Sequence, residues 1–144
     1  MLSKTEIEGF NKKLDVVSVF IDHEGETLLL HRQDHKPQGN TWAMVAGKVD
    51  EGETLLSAIV REIEEEIGLK VDPKELKYFE GYYVRYPGYD YLYHVFHLPQ
   101  RQKPALNLNL DEHKDYRWIK PDESLALPLI QDEDTCIKWF YNLP

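Results

Sequence analysis

Glu62, Glu65 and Glu66 stand at i, i+3 and i+4, with Arg61 beside them and Glu53 upstream. Carboxylates at that spacing share one face of a helix, where each like-charge pair costs roughly a few tenths of a kcal/mol. Two readings stand at this point. The run is a solvated acidic face, the commoner meaning of clustered glutamates, or it holds a hard divalent cation, which takes carboxylate oxygens and offsets their repulsion. A cation held there would act as a Lewis acid and lower the pKa of a bound water. Glu53 and Arg61 are either a structural ion pair or a fork that fixes carboxylate geometry, a task a bidentate guanidinium performs and a lysine does poorly.

The carboxylates converge only if a helix carries them, and the local sequence supplies one. Thr54 is a start signal and Gly68 a stop signal, which predicts a helix over 55–67. Leu56, Ile59, Val60, Ile63 and Ile67 form its expected apolar stripe. The acidic face lies roughly 110° round from that stripe, so it flanks the buried side and can line a cleft. A turn-forming loop with Gly47 and Gly52 leads into the helix. Strands are expected over 14–21, 27–31, 76–85, 91–98 and 116–119, with a short apolar run over 42–45. Asp132 is the expected cap of a last helix running to about Tyr141, docked by Ile137, Trp139 and Phe140. Strands outnumber helices and the two long helices are far apart, a pattern of the α+β class with helices packed on a sheet.

The stretch from Gly47 to Leu69 resembles the signature of the Nudix hydrolases, G-x5-E-x7-R-E-U-x-E-E-x-G-U, where U is a bulky aliphatic residue. Every fixed position is filled, by Gly47, Glu53, Arg61, Glu62, Ile63, Glu65, Glu66, Gly68 and Leu69. The resemblance implies an α/β/α sandwich around a mixed β-sheet. It also implies a hydrolase of nucleoside diphosphates linked to another group, dependent on Mg2+ with Mn2+ as a substitute. Carried onto matching positions, it makes Glu62, Glu65 and Glu66 metal ligands. Arg61 and Glu53 orient the catalytic carboxylates Glu65 and Glu66. Many members have Pro-Gly-Gly before the signature helix; here the residues are Val45-Ala46-Gly47. Ala46 then holds the position whose backbone carbonyl often ligates metal, and a carbonyl needs no particular side chain. An alanine there is more familiar from the ADP-ribose-type branch than from the MutT-type branch. In several branches a loop glutamate near Glu112 acts as general base or extra ligand; the alternative is a solvated loop acid.

Arg32 and Lys48, with His35 and Lys36 nearby, are basic residues around the loop before the helix and are candidates to hold substrate phosphates. Nine tyrosines are many for this length, and the run from Tyr82 to Tyr93 is dense in them. That hairpin, with Tyr83 and Tyr91 as its substrate contacts, either stacks a base or packs across strands and against a second copy. Pro87 and Tyr86 lie close to the distances at which the ADP-ribose and dinucleoside-polyphosphate branches read their substrates, although a turn explains Pro87-Gly88 as well.

The 144 residues fit one domain, 1–144, and at 42% hydrophobic they can bury a core. No long apolar run suggests a membrane span. The polar stretch Met1 to Lys13 is not a signal-peptide pattern, and Cys136 is the only cysteine, so a reducing cytoplasm is the expected home. The net charge of −9 argues against a nucleic-acid partner. It leaves room for a small nucleotide, since bound cations invert the local sign. The expected assembly is a monomer or homodimer. Chain length favours nucleoside triphosphates, ordinary or oxidised, cleaved to monophosphate and pyrophosphate. Ala46 and Pro87-Gly88 lean toward ADP-ribose or nucleotide sugars. A non-catalytic nucleotide-binding module is the reading from another class, and the complete set of signature glutamates speaks against it.

Overall fold

The computed structural model describes all 144 residues. Its strands are β1 (Leu2–Ser3), β2 (Lys12–His23), β3 (Glu26–Arg32), β4 (Trp42–Ala43), β5 (Val45–Lys48), β6 (Lys77–Tyr86), β7 (Tyr89–Pro99) and β8 (His113–Ile119). The helices are α1 (Leu55–Ile67), α2 (Pro121–Ser124) and α3 (Glu133–Tyr141). The expected strands are all present; the one expected over 76–85 is shifted by one residue to 77–86, and the others are extended by a few residues at their ends. The short pieces β1 and α2 carry too little pattern to be read from sequence.

Strand β2 is the axis. Along one edge β7 runs parallel to it from Lys12↔Asp90 to Asp22↔Pro99. On the other edge β3 pairs only at the turn, through Asp22↔Thr27 and His23↔Glu26. Farther back β5 takes that edge, from Val16↔Lys48 to Val19↔Val45. Strand β3 diverges and pairs with β8 and β4 instead. The mixed sheet therefore splits into two wings that share β2, with a cleft between them.

Alternation along the strands sorts two cores. Val17, Val19 and Ile21 point to one face and pack with Ile59, Ile63 and Ile67 of α1. Phe20 points to the other face and packs with Met44, Tyr82, Val95, Cys136 and Ile137, the last two from α3. This is the expected α+β sandwich, helices on both faces of one sheet. Fully burying an isoleucine stabilises by roughly 1.5–3 kcal/mol, so the three isoleucines of α1 dominate its docking. Leu56 departs from the expected stripe: it is 38% exposed, while Ala58 takes the buried position and Leu55 packs against the core. No helix is long and apolar enough to cross a membrane.

Both ends of α1 are secured. Thr54 accepts a hydrogen bond from the Ser57 amide at 3.1 Å, closing the first turn. At the far end, Gly68 adopts φ 69°. The strap 107–113 then supplies amides to carbonyls the helix cannot satisfy itself: Asn107 N donates to Ile67 O at 2.8 Å and Asn109 N to Glu66 O at 3.0 Å. A Cβ on Gly68 would lie 2.9 Å from that of Asn107.

Asp132 precedes α3 as expected, but its side chain makes no cap hydrogen bond because φ is 68° there; its carboxylate lies instead 3.9 Å from the N-terminal amine.

Gly68→Ala meets both the left-handed backbone and the strap, so it is expected to lower stability by about 2 kcal/mol. Urea denaturation of the two proteins checks this, and an unchanged midpoint would show that the strap does not press on the helix end.

Candidate active site

Arg61 is the centre of the signature. Its five N–H donors all find acceptors: Nε and Nη2 grip Glu53 at 2.8 and 2.9 Å, and Nη1 reaches Glu62 at 2.8 Å and Glu65 at 3.1 Å. Nη2 also donates to the Lys48 carbonyl at 3.0 Å. Glu53 accepts the Asp50 amide at 2.9 Å as well. These bonds, the Arg61 fork first, hold its carboxyl down at about 2. The same partners push Arg61 upward. The Glu53–Arg61 pair thus braces loop and helix together, uniting the two roles left open by the sequence.

Gly47 is required by space. The Glu62 carboxylate lies directly over it, so any Cβ there would overlap the carboxylate. Glu62 and Glu66 lie against each other, and burial, then the neighbouring charge, raises the Glu66 carboxyl well above its usual range. Burial also raises Glu62, with Arg61 opposing it. Glu66 is 6% exposed, and its Oε2 has no hydrogen-bond partner. Glu65 remains exposed on the outer side of the helix, tied to Arg61.

No three acidic, imidazole or thiol side chains form a closed metal cage. The donors nevertheless fit a hard cation that keeps much of its water: an unpartnered buried carboxylate oxygen, a second carboxylate against it, and the Ala46 backbone beside Glu66.

Ala46 and Glu66 belong to the wall of a cavity of about 150 Å³ in the cleft between the wings. Arg32, Tyr91, His113 and Glu133 also line it. Arg32 is thus where the sequence reading placed it, its Nε donating to the Pro37 carbonyl at 3.0 Å.

Two expected substrate contacts lie outside the cavity wall. Tyr83 does not line the cavity. Strand parity puts Val84 and Tyr86 in the wall and turns Tyr83 to the opposite face, edge-on to Phe10 with ring centroids 5.1 Å apart. Lys48 offers only its backbone carbonyl, to Arg61, and its side chain is exposed at the end of β5. Glu112 pairs with Lys36 at 3.2 Å, and its charge adds to the upward push on Glu66.

The sequence reading missed Glu133 and His113. Glu133 is 3% exposed, and its Oε1 accepts the Met44 amide at 2.7 Å. Its Oε2 is buried without a partner. Burial raises this carboxyl to about 7. A signal existed: Glu133, Cys136, Ile137 and Phe140 share a helical stripe, so an acid was headed into a core. His113 is 2% exposed, and burial, then the charge of Arg32, lowers it to about 4.

Residues 12–140 match the family model described as the NUDIX domain. The CTP pyrophosphohydrolase of Escherichia coli (strain K12) is 30% identical over 132 residues, covering 92% of this chain and 94% of that protein. The solution structure of the E. coli ORF135 protein matches with a TM-score of 0.76 at 26% identity, over 96% of this chain and 94% of that one. The crystal structure of MutT NUDIX hydrolase from Burkholderia pseudomallei matches in fold, with a TM-score of 0.75 at 23% identity over 87% of this chain and 95% of that one. The signature loop, the α1 carboxylates and the family model fall on the same residues, and the chain belongs to the NUDIX family as a MutT-like hydrolase acting on nucleotide diphosphate-linked compounds.

Proposed function

We propose that this protein hydrolyses nucleoside triphosphates to a monophosphate and pyrophosphate, using Mg2+ or Mn2+. The observation that carries this reading is one continuous wall. The carboxyl of Glu133, whose Oε2 is unpartnered, and the ring of Tyr91 share the cavity with Glu66 and Ala46. At about 150 Å³ the cavity is smaller than the roughly 300–1,000 Å³ that encloses a whole drug-sized ligand. It therefore suits the base of a nucleotide, with sugar and phosphates running out past Arg32 toward the α1 carboxylates. The activity named for the E. coli relative, on CTP, supports the same substrate class.

Glu62, Glu66 and the Ala46 carbonyl would hold the cation, with Glu65 completing the set from the exposed side. When bound, it supplies charge neutralisation at the anhydride and acidifies a ligated water. Water adds to one phosphorus, the bridging P–O bond breaks, and pyrophosphate leaves. Glu65 accepts the proton of the attacking water, and Arg61 keeps that carboxylate aimed. Glu112 stands in reserve on the strap, neutralised by Lys36. Pro87 and Gly88, which leaned toward ADP-ribose, form the two-residue link between paired Tyr86 and Tyr89, so their turn role is sufficient. Tyr86 does line the cavity.

A hydrolysis panel in Mg2+ tests the substrate class: ordinary and oxidised nucleoside triphosphates, ADP-ribose, nucleotide sugars and a dinucleoside polyphosphate. Monophosphate plus pyrophosphate from a triphosphate is expected, and cleavage confined to ADP-ribose or sugars would overturn the reading. Glu65→Gln is expected to lower kcat by at least about a hundredfold with an unchanged melting temperature; near-normal turnover would remove Glu65 from the chemistry.

Glu133 also makes stability depend on pH. The unfolded chain ionises it near 4.5, the folded protein near 7. Its neutral form therefore favours the fold fully below 4.5, and that contribution fades as pH rises through 7, amounting to roughly 3 kcal/mol at most. Glu133→Gln should match the parent at pH 4 and exceed it at pH 8 in chemical denaturation. Equal stability at both values would show that burial does not hold the proton.

A further inference from the structure

His113 lies beside Glu66 in the wall of the cavity. Its Nδ1 is buried without a hydrogen-bond partner and stands 3.8 Å from Glu66 Oε1. Glu66 Oε2 is equally unpartnered. An unsatisfied buried polar atom costs roughly 1–3 kcal/mol, so an unpartnered imidazole nitrogen held this near a buried carboxylate marks an interaction still to be completed. Hydrogen-bond distance for N–H···O is about 2.7–3.2 Å, roughly 0.6–1.1 Å closer than the 3.8 Å observed.

The placement of His113 is built in from both sides. Register Arg32↔His113 fixes it at the end of β8. The strap fixes it against α1: His113 N donates to Asn109 O at 3.0 Å, and Asn109 N donates to Glu66 O at 3.0 Å. The backbone of Glu66 is thus linked through one residue to the backbone of the histidine that faces its side chain.

We propose that His113 is a positioning residue for Glu66, donating its Nδ1–H to the carboxylate when a divalent cation draws that carboxylate into its bound orientation. An imidazole N–H there fixes the rotamer of Glu66 and orients it as a ligand, as partners behind metal ligands do generally, where their loss costs about ten- to a hundredfold in metal affinity or activity. The inference rests on the metal-binding role proposed for Glu66.

Mn2+ binding to the full chain, followed by electron paramagnetic resonance without substrate, tests it. His113→Leu keeps the volume and removes the donor. It should weaken Mn2+ about tenfold or more, and His113→Asn, which returns an N–H near the Nδ1 position, should recover most of the loss. A second measurement uses the unaltered protein: Mg2+ titration should bring out a protected His113 Nδ1–H signal in nitrogen-15 spectra, so the inference stays testable if His113→Leu folds poorly. Tight Mn2+ binding by the parent together with unchanged binding by His113→Leu, or a His113 signal indifferent to Mg2+, would overturn the role of His113 alone. Absence of Mn2+ binding by the parent would overturn the metal role of Glu66 and this inference with it.

Discussion

Everything at the active edge depends on one guanidinium that satisfies several anions at once. A helix carrying three carboxylates on one face is self-repelling, and the repulsion grows when the helix is pressed onto a core. Arg61 resolves this by donating to Glu53, Glu62, Glu65 and a backbone carbonyl from a half-buried position. Because Glu53 sits on the loop and Arg61 on the helix, the same bonds set the loop against the helix. Gly47 can then pass beneath Glu62 with no side chain between them. Removing the charge at residue 61 would release the loop and leave the carboxylates to separate.

The second constraint is the sharing of β2. A strand paired along one edge by a single neighbour and along the other by two in succession cannot keep both of those two in plane. The wings diverge, and the opening between them is the cavity. Trp42 strengthens the arrangement through hydrogen bonds with the segment before α3, from Trp42 N to Pro128 O and from Ile130 N to Trp42 O, both at 2.9 Å. That connection sets the start of α3 beside Met44 and so delivers Glu133 to the cavity.

The sequence made the local features legible and the distant ones obscure. The bounds of α1 follow from Thr54 and Gly68, and the strands from runs of Val, Leu and Tyr, because those signals act within a few residues. Which side of the 77–86 strand faces the site depends on register, and Tyr83 and Tyr86, an odd number of residues apart, fall on opposite faces of a two-residue period. Leu56 fitted the helical stripe, but the helix meets the sheet rotated toward Leu55 and Ala58. At the start of α3 Glu133 reads as an ordinary first-turn acid, while its importance comes from the backbone amide of Met44, far away in the chain, which it satisfies. His113 had only its neighbour Glu112 to recommend it, and nothing local announces a strap that folds back onto a helix terminus.

The two cores give the protein a division of labour with an evolutionary consequence. The catalytic helix is anchored in the core on one face of the sheet, whereas the far wall of the cavity is built from α3 and the β6–β7 hairpin, anchored in the core on the other face. A change in the volume or polarity of that far wall is absorbed by residues that α1 does not touch. On the function proposed above, selectivity for the nucleotide can therefore drift under selection while the carboxylates of α1 remain under a separate and stricter constraint.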